Sequence, residues 1–211
     1  MRLFVPLLNL LVTVTVAQTP APYTDTKSGI TFNTLQHSSG FFFGLALPMN
    51  NTGNSDFIAT IGGKGTGWSG VSLAGSMVNK LLIVAWPNGQ NIVRSFRKTA
   101  TYSSPTVPTG TFKQAAIANG TYINSTHWTY TFLCSNCLQT DGTTFKSSDT
   151  TPSIGYALNA NAPTDKTNPA SNLAKHSARD QTIFDLSKAR SPNFGTWKGY
   201  ADLKAGISFM G

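Results

Sequence analysis

Short apolar runs, separated by clusters of turn-forming residues, recur along most of the chain, and no long segment carries a helical period. The runs are Phe41 to Leu47, Phe57 to Ile61, Trp68 to Leu73, Leu81 to Trp86, Ile92 to Phe96, His127 to Cys134, Ile154 to Leu158 and Thr182 to Leu186. An amphipathic helix needs apolar residues at a period near 3.6, whereas W-S-G-V-S-L from Trp68 alternates from one residue to the next. The turn Pro87-Asn88-Gly89 closes one run and Ile92 opens the next, which predicts a hairpin. Runs of this length and spacing predict an all-β fold, an antiparallel β-sandwich of immunoglobulin-like type. Composition agrees, because all 8 acidic residues are Asp. Glu, a good helix former, is absent, and Asp is a poor one.

The N-terminus has a separate pattern. Arg2 precedes an apolar stretch from Leu3 to Val16 that ends at the small residue Ala17. This reads as a signal peptide over residues 1–17, too short to span a bilayer and interrupted by Pro6. Residues 18–211 are then expected to form one domain, with no membrane helix and no apolar tail for a lipid anchor. Sequons at Asn50, Asn119 and Asn124 fit secretion and predict glycosylated surface loops. In an oxidising compartment Cys134 and Cys137, the only cysteines, are expected to bond to each other. The formal charge of +8 comes from scattered residues with no basic run, so nucleic acid is not the expected partner. Such a surface would instead draw anionic partners at low salt.

Several chemistries find little support. The eight Asp suggest no carboxylate pair of the kind glycoside hydrolysis needs. Counting does not exclude a Ser-His-Asp triad, but no G-x-S-x-G elbow is present. The three histidines, His37, His127 and His176, are too far apart for a zinc pattern. Mature Gln18 is not the N-terminal His of a secreted copper monooxygenase. Gly62 to Gly67 reads G-G-K-G-T-G, but it leads into a strand where a phosphate loop opens a helix. Cys134-Ser135-Asn136-Cys137 ends a strand, which favours a structural disulfide over a redox motif, and Leu138 stands where covalent haem attachment needs His. The stretch from Asn159 to Lys175 is a long loop with His176 at its end.

Trp68 to Gly89, reading W-S-G-V-S-L-A-G-S-M-V-N-K-L-L-I-V-A-W-P-N-G, resembles the cytochrome domain of fungal cellobiose dehydrogenase. In that family a G-G-x-M-x-N element precedes a strand ending V-A-W-x-N-G. Asn124-Ser125-Thr126-His127-Trp128, the Cys134/Cys137 pair, and Lys175-His176-Ser177 followed by Phe184-Asp185-Leu186-Ser187 match the same family in order. The resemblance runs from about residue 22 to 200 and extends to stand-alone cytochromes of the iron-reductase type, auxiliary activity family 8. It implies haem b, bound without covalent links in a pocket at one face of the sandwich. Met77 and His176 would be the axial ligands, and Tyr102 would lie near a propionate. There are two departures. Arg179 stands where the family has an aromatic residue, which suggests a propionate partner, and Ala74-Gly75 replaces the usual G-G.

The implied function is extracellular one-electron transfer by a monomer. The donor would be a flavin dehydrogenase; the acceptors would be ferric complexes, quinones or a copper polysaccharide monooxygenase, with ferric reductase activity as one expression of it. No flavin domain follows within this chain, so it would be a stand-alone cytochrome or a domain of a longer protein. The alternative is a haem-free carbohydrate-binding or adhesion module, in which Trp197 and Tyr200 stack on sugars.

Overall fold

The computed structural model describes residues 18–202, so the expected signal peptide lies outside the described residues. In chain order the strands are β1 (Ala21–Thr24), β2 (Thr31–Gln36), β3 (Phe42–Pro48), β4 (Phe57–Lys64), β5 (Trp68–Ser72), β6 (Leu82–Asn88) and β7 (Asn91–Arg97). There follow β8 (Lys113–Ala116), β9 (Tyr122–Ile123), β10 (His127–Ser135), β11 (Ser153–Asn159), β12 (Ala178–Ile183) and β13 (Arg190–Ser191), then the helix α1 (Phe194–Asp202). The larger sheet runs β1-β2-β3-β4-β10-β8, with β9 beside β10 and β13 beside β3; the smaller runs β12-β11-β5-β6-β7. Apart from the short parallel pair β13–β3, the ladders are antiparallel, as a sandwich requires.

The alternation read in the sequence decides which side chains meet between the sheets. On β10, Trp128, Tyr130, Phe132 and Cys134 all point inward, with Phe43, Leu45 and Leu47 beside them on β3. From the smaller sheet Val71, Ile83, Ala85 and Ile154 face them. Residues two apart in a strand share a face, so each run contributes every second residue to this core. The glycine-rich stretch carries the chain from β4 in one sheet to β5 in the other. Gly65 takes φ +64, and a Cβ at Gly67 would lie 1.9 Å from the Asn159 carbonyl oxygen. Its glycines therefore serve a tight crossing between sheets.

The outer face of the larger sheet is partly covered by α1. Phe194, Trp197 and Ala201, spaced to share one helix face, pack on Ile30, Phe32, Ala46, Ile58, Ile117 and Leu133. This corrects the expectation that Trp197 and Tyr200 are exposed for sugar stacking: Trp197 is 6% exposed and Tyr200 is half-buried against the same cluster. The nine-residue helix contains Gly195 and Gly199, so its intrinsic propensity is low and burial of this face must hold it.

One ion pair fastens that helix. Lys198 Nζ lies 2.8 Å from Asp56 Oδ2, and Asn136 N–H donates to Asp56 Oδ1 at 2.8 Å. Burial works to raise the Asp56 carboxyl, but the Lys198 ammonium and the Asn136 and Ser55 donors outweigh it, and the group sits below its ordinary value. A carboxyl depressed in the fold stabilises above its unfolded value, and that contribution is lost as pH falls through the folded one. Lys198→Met is therefore expected to cost at most about 1 kcal/mol at neutral pH, since Lys198 is partly exposed and screened. The difference from the parent protein, read by urea unfolding, should vanish well below pH 3.8.

Candidate functional site

The smaller sheet has a second apolar face, turned away from the sandwich core. Cross-strand partners share a face, so Leu82, Val84 and Trp86 on β6 line up outward with Arg97, Ser95 and Val93 on β7. Trp68 and Gly70 of β5 and Gly155, Ala157 and Asn159 of β11 continue the same face. Trp68, Val84, Trp86 and Leu173 form a buried cluster there, with Val93 and Ala157 packed against it. The floor is low at its centre: a Cβ at Gly70 would lie 3.3 Å from Val84 Cγ2 and 3.5 Å from Trp68 Cζ3. The Trp68 indole N–H is buried and has no hydrogen-bond partner among the described residues.

Met77 lies half-buried at one end of this face, in the loop joining β5 to β6. The loop folds back over the sheet, because a Cβ at Gly155 would sit 1.9 Å from the Gly75 carbonyl oxygen. Gly75 takes φ +74 and Asn79 φ +57, left-handed positions that glycine and asparagine tolerate. Ser72 Oγ donates to the Ser76 carbonyl at 2.5 Å, Leu73 N–H to Leu81 O at 3.1 Å, and Asn79 N–H to Thr99 O at 2.8 Å. These bonds fix the loop on both sides of Met77. The shift of glycine noted in the sequence leaves Gly75 at the point of closest approach.

His176 lies half-buried at the opposite end, just before β12. Its neighbours are held: Ser177 N–H donates to Leu158 O at 2.8 Å and Asn159 Nδ2 to Lys175 O at 2.6 Å. Asn159 pairs with Trp68, so the unpartnered indole belongs to the His176 end. Burial, with the charges of Arg179 and Lys175, holds the imidazole below its ordinary value. It is therefore neutral near pH 7, the form in which histidine ligates a metal.

The other expected site residues are placed as follows. Arg179 is exposed on β12 opposite Ala157, close enough for its charge to act on His176. Tyr102 is 85% exposed on the loop after β7. Cys134 and Cys137 form the expected disulfide. Asn50, Asn119 and Asn124 are all exposed. Residues 160–175 form the expected long loop without regular structure. Among the described residues no group of three or more His, Cys, Asp or Glu is placed to hold a bare metal ion. Two surface hollows, of about 520 Å³ beside Phe96 and Phe112 and about 330 Å³ beside His37 and His127, are lined by neither Met77 nor His176. Sequence reasoning missed Trp68, Gly155 and Arg97 as contributors to this face. Only Gly155 carried a signal, since an isolated glycine within a strand pattern marks close backbone approach.

Residues 23–196 match the family model described as the cytochrome domain of cellobiose dehydrogenase. The chain belongs to this family. The cytochrome domain of Myriococcum thermophilum cellobiose dehydrogenase has the same fold, with 30% identity and a TM-score of 0.75 over 88% of this chain and 98% of that one. The cytochrome b domain of pyranose dehydrogenase from Coprinopsis cinerea, at 24% identity, superimposes with a TM-score of 0.76 over 87% of this chain and 96% of that one. In sequence, a pyrroloquinoline quinone-dependent pyranose dehydrogenase of Coprinopsis cinerea is 29% identical over 178 residues, 82% of this chain. The chain spans about a quarter of that relative's length, 24%. It is thus a cytochrome domain of the kind found in these dehydrogenases, which implies electron transfer, and the family binds haem.

The outer face suits such a group. Met77 and His176 are half-buried at its two ends and the buried Trp68 indole N–H lacks an acceptor, while Val84 and Trp86 between them pack with Leu173 of the 160–175 loop, where Trp86 Nε1 donates to Lys166 O at 2.9 Å. Among the described residues no helix is long and apolar enough to cross a membrane.

Proposed function

We propose that this domain is a secreted b-type cytochrome that passes single electrons, with haem b held by Met77 and His176 as axial ligands. The observation that carries the reading is the placement of these two residues, each on a braced backbone, at opposite ends of one apolar sheet face. When bound, haem supplies a one-electron couple, and a thioether opposite an imidazole gives a higher potential than two imidazoles. The chain's own residues do the rest. Ala157 is a half-buried apolar residue on this face, the Trp68 N–H and Arg179 offer donors to propionates, and the neutral His176 ring presents a lone pair. Attachment is non-covalent, because both cysteines are in the disulfide.

The relatives widen the class of donor. Both a cellobiose dehydrogenase and a pyrroloquinoline quinone-dependent pyranose dehydrogenase carry such a domain, so a flavin or a quinone dehydrogenase fits as the source of electrons. Ferric complexes, quinones or a copper polysaccharide monooxygenase fit as acceptors. The formal charge, +8 for the full sequence and +7 once Arg2 is removed with the signal peptide, favours anionic ones. The exposed sequons at Asn50, Asn119 and Asn124 support secretion with glycosylation. The sugar-binding alternative loses ground, since its stacking residue Trp197 is buried.

Absorbance spectroscopy tests the reading. Protein produced with haem should show a sharp Soret band that moves on reduction, and haem-supplied protein without one sinks the proposal. Met77→His should stay coloured with a lower midpoint potential. An unchanged potential would show that Met77 is no ligand.

A further inference from the structure

Arg97, the last residue of β7, is 1% exposed, yet it makes no ion pair among the described residues. Its guanidinium is spread over four oxygens. Nε donates to Ser95 Oγ at 2.7 Å, Nη1 to Pro105 O at 2.6 Å, and Nη2 to Pro169 O at 2.6 Å and Ser171 O at 2.8 Å. Pro105 belongs to the loop 98–109, which carries Tyr102; Pro169 and Ser171 belong to the loop 160–175, which leads into His176. The two loops meet only a little further on, where Leu173 N–H donates to Ser104 Oγ at 3.0 Å. Leu173 itself enters the outer-face cluster with Trp68, Val84 and Trp86.

We propose that Arg97 is the positioning residue of the haem face: its one guanidinium ties together the two loops that border it and supplies an unneutralised positive charge beside it. The proposal rests on the haem reading above. Arg97 shares the outer face with Leu82, its cross-strand partner, and so stands on the same side of the sheet as the candidate site. Carbonyl oxygens satisfy the hydrogens of the fork without cancelling its charge, whereas a carboxylate would do both. Only a planar fork reaches three carbonyls on two loops at once; a lysine ammonium is a point donor and would keep the charge while losing the span. A buried cation near haem favours the reduced state, which carries one positive charge fewer.

Arg97→Lys and Arg97→Gln separate the two roles. Hydrogen–deuterium exchange of haem-free protein reads the loops. In both variants amides in 98–109 and 160–175 should exchange faster, and those of β10 should not. Haem transfer to a scavenging apoglobin should speed up about tenfold in both, the lower end expected when a supporting contact of a metal site is lost. The midpoint potential should fall in Arg97→Gln and stay near that of the parent protein in Arg97→Lys. Unchanged exchange in both loops overturns the tie, and equal potentials in the two variants overturn the role of the charge. If neither variant folds, Arg97 serves the fold as a whole and the proposal fails. If the parent protein takes up no haem, the haem reading fails while the exchange measurement still tests the tie.

Discussion

Gly155→Val is expected to unseat the Met77 loop while leaving the sandwich core in place. The glycine lies on β11 with its missing Cβ directed at the outer face, where the Gly75 carbonyl oxygen would be 1.9 Å away and Ser72 Cβ 3.3 Å away. The near contact is backbone, so no rotamer change relieves it. The loop has little slack, because Ser72 Oγ, Leu81 O and Thr99 O each hold part of it. Either β11 moves away from β5 or the segment around Met77 lifts from the sheet. Overpacking of this kind costs about 1–3 kcal/mol, and here a backbone contact puts the cost at the upper end. The loop is the softer element, so the loss should be local. In urea unfolding the variant should be less stable by that amount, and with haem supplied its potential should depart from that of the parent protein. Gly195→Ala is the control: nothing lies within 4 Å of a Cβ there, and it should stabilise α1 by about 0.5–1 kcal/mol. A Gly155→Val protein with unchanged stability and potential would show that the loop does not depend on this approach.

Why some of this was legible in the sequence and some was not follows from which residues each element uses. Strands with one buried face announce themselves by alternation, and β3, β5, β7, β10 and β11 stand where the apolar runs placed them to within one residue at each end, while β4 and β6 run three and two residues past the ends of theirs. The run at Thr182 to Leu186 was only partly a strand: β12 spans Ala178–Ile183, and Phe184 and Leu186 turn into the core from the segment after it. β2 was missed because its apolar residues do not alternate: Phe32 and Leu35 are buried on opposite faces, with polar residues between them. Asn33 and Thr34 are buried, and Asn33 Nδ2 donates to the Asp185 carbonyl, a partner far along the chain. The helix α1 was missed for a related reason. Its glycines hide a helical propensity that only the outer face of the larger sheet can supply by packing. Arg97 shows the same limit at the site. An arginine closing a strand reads as a solvent-facing residue, and only the fold brings three loop carbonyls to it.

His176→Gly is expected to give the largest spectroscopic change, and to give it without unfolding. The backbone at 176 is held by its neighbours, through Ser177 N–H to Leu158 O and Asn159 Nδ2 to Lys175 O, and neither bond uses the imidazole. Removing the ring therefore takes away a donor atom and little structure. Stability should change by no more than about 1 kcal/mol, as for a partly exposed site away from the core. Haem affinity, by contrast, should fall by about 10-fold or more, the scale on which a metal site responds to losing even a supporting contact. The sharp Soret band of the reduced protein should weaken, and free imidazole should restore it by entering the space the side chain vacates. No other histidine can stand in. His127 opens β10 of the larger sheet, and His37 follows β2 with its ring 5.6 Å from that of Tyr156, which faces away from the outer side of β11. Methionine at 77 would remain, so the variant should keep some colour, and its recovery with imidazole separates loss of a ligand from loss of the fold. A His176→Gly protein whose spectrum and haem affinity match those of the parent would remove His176 from the site and leave the Met77 end without its expected partner.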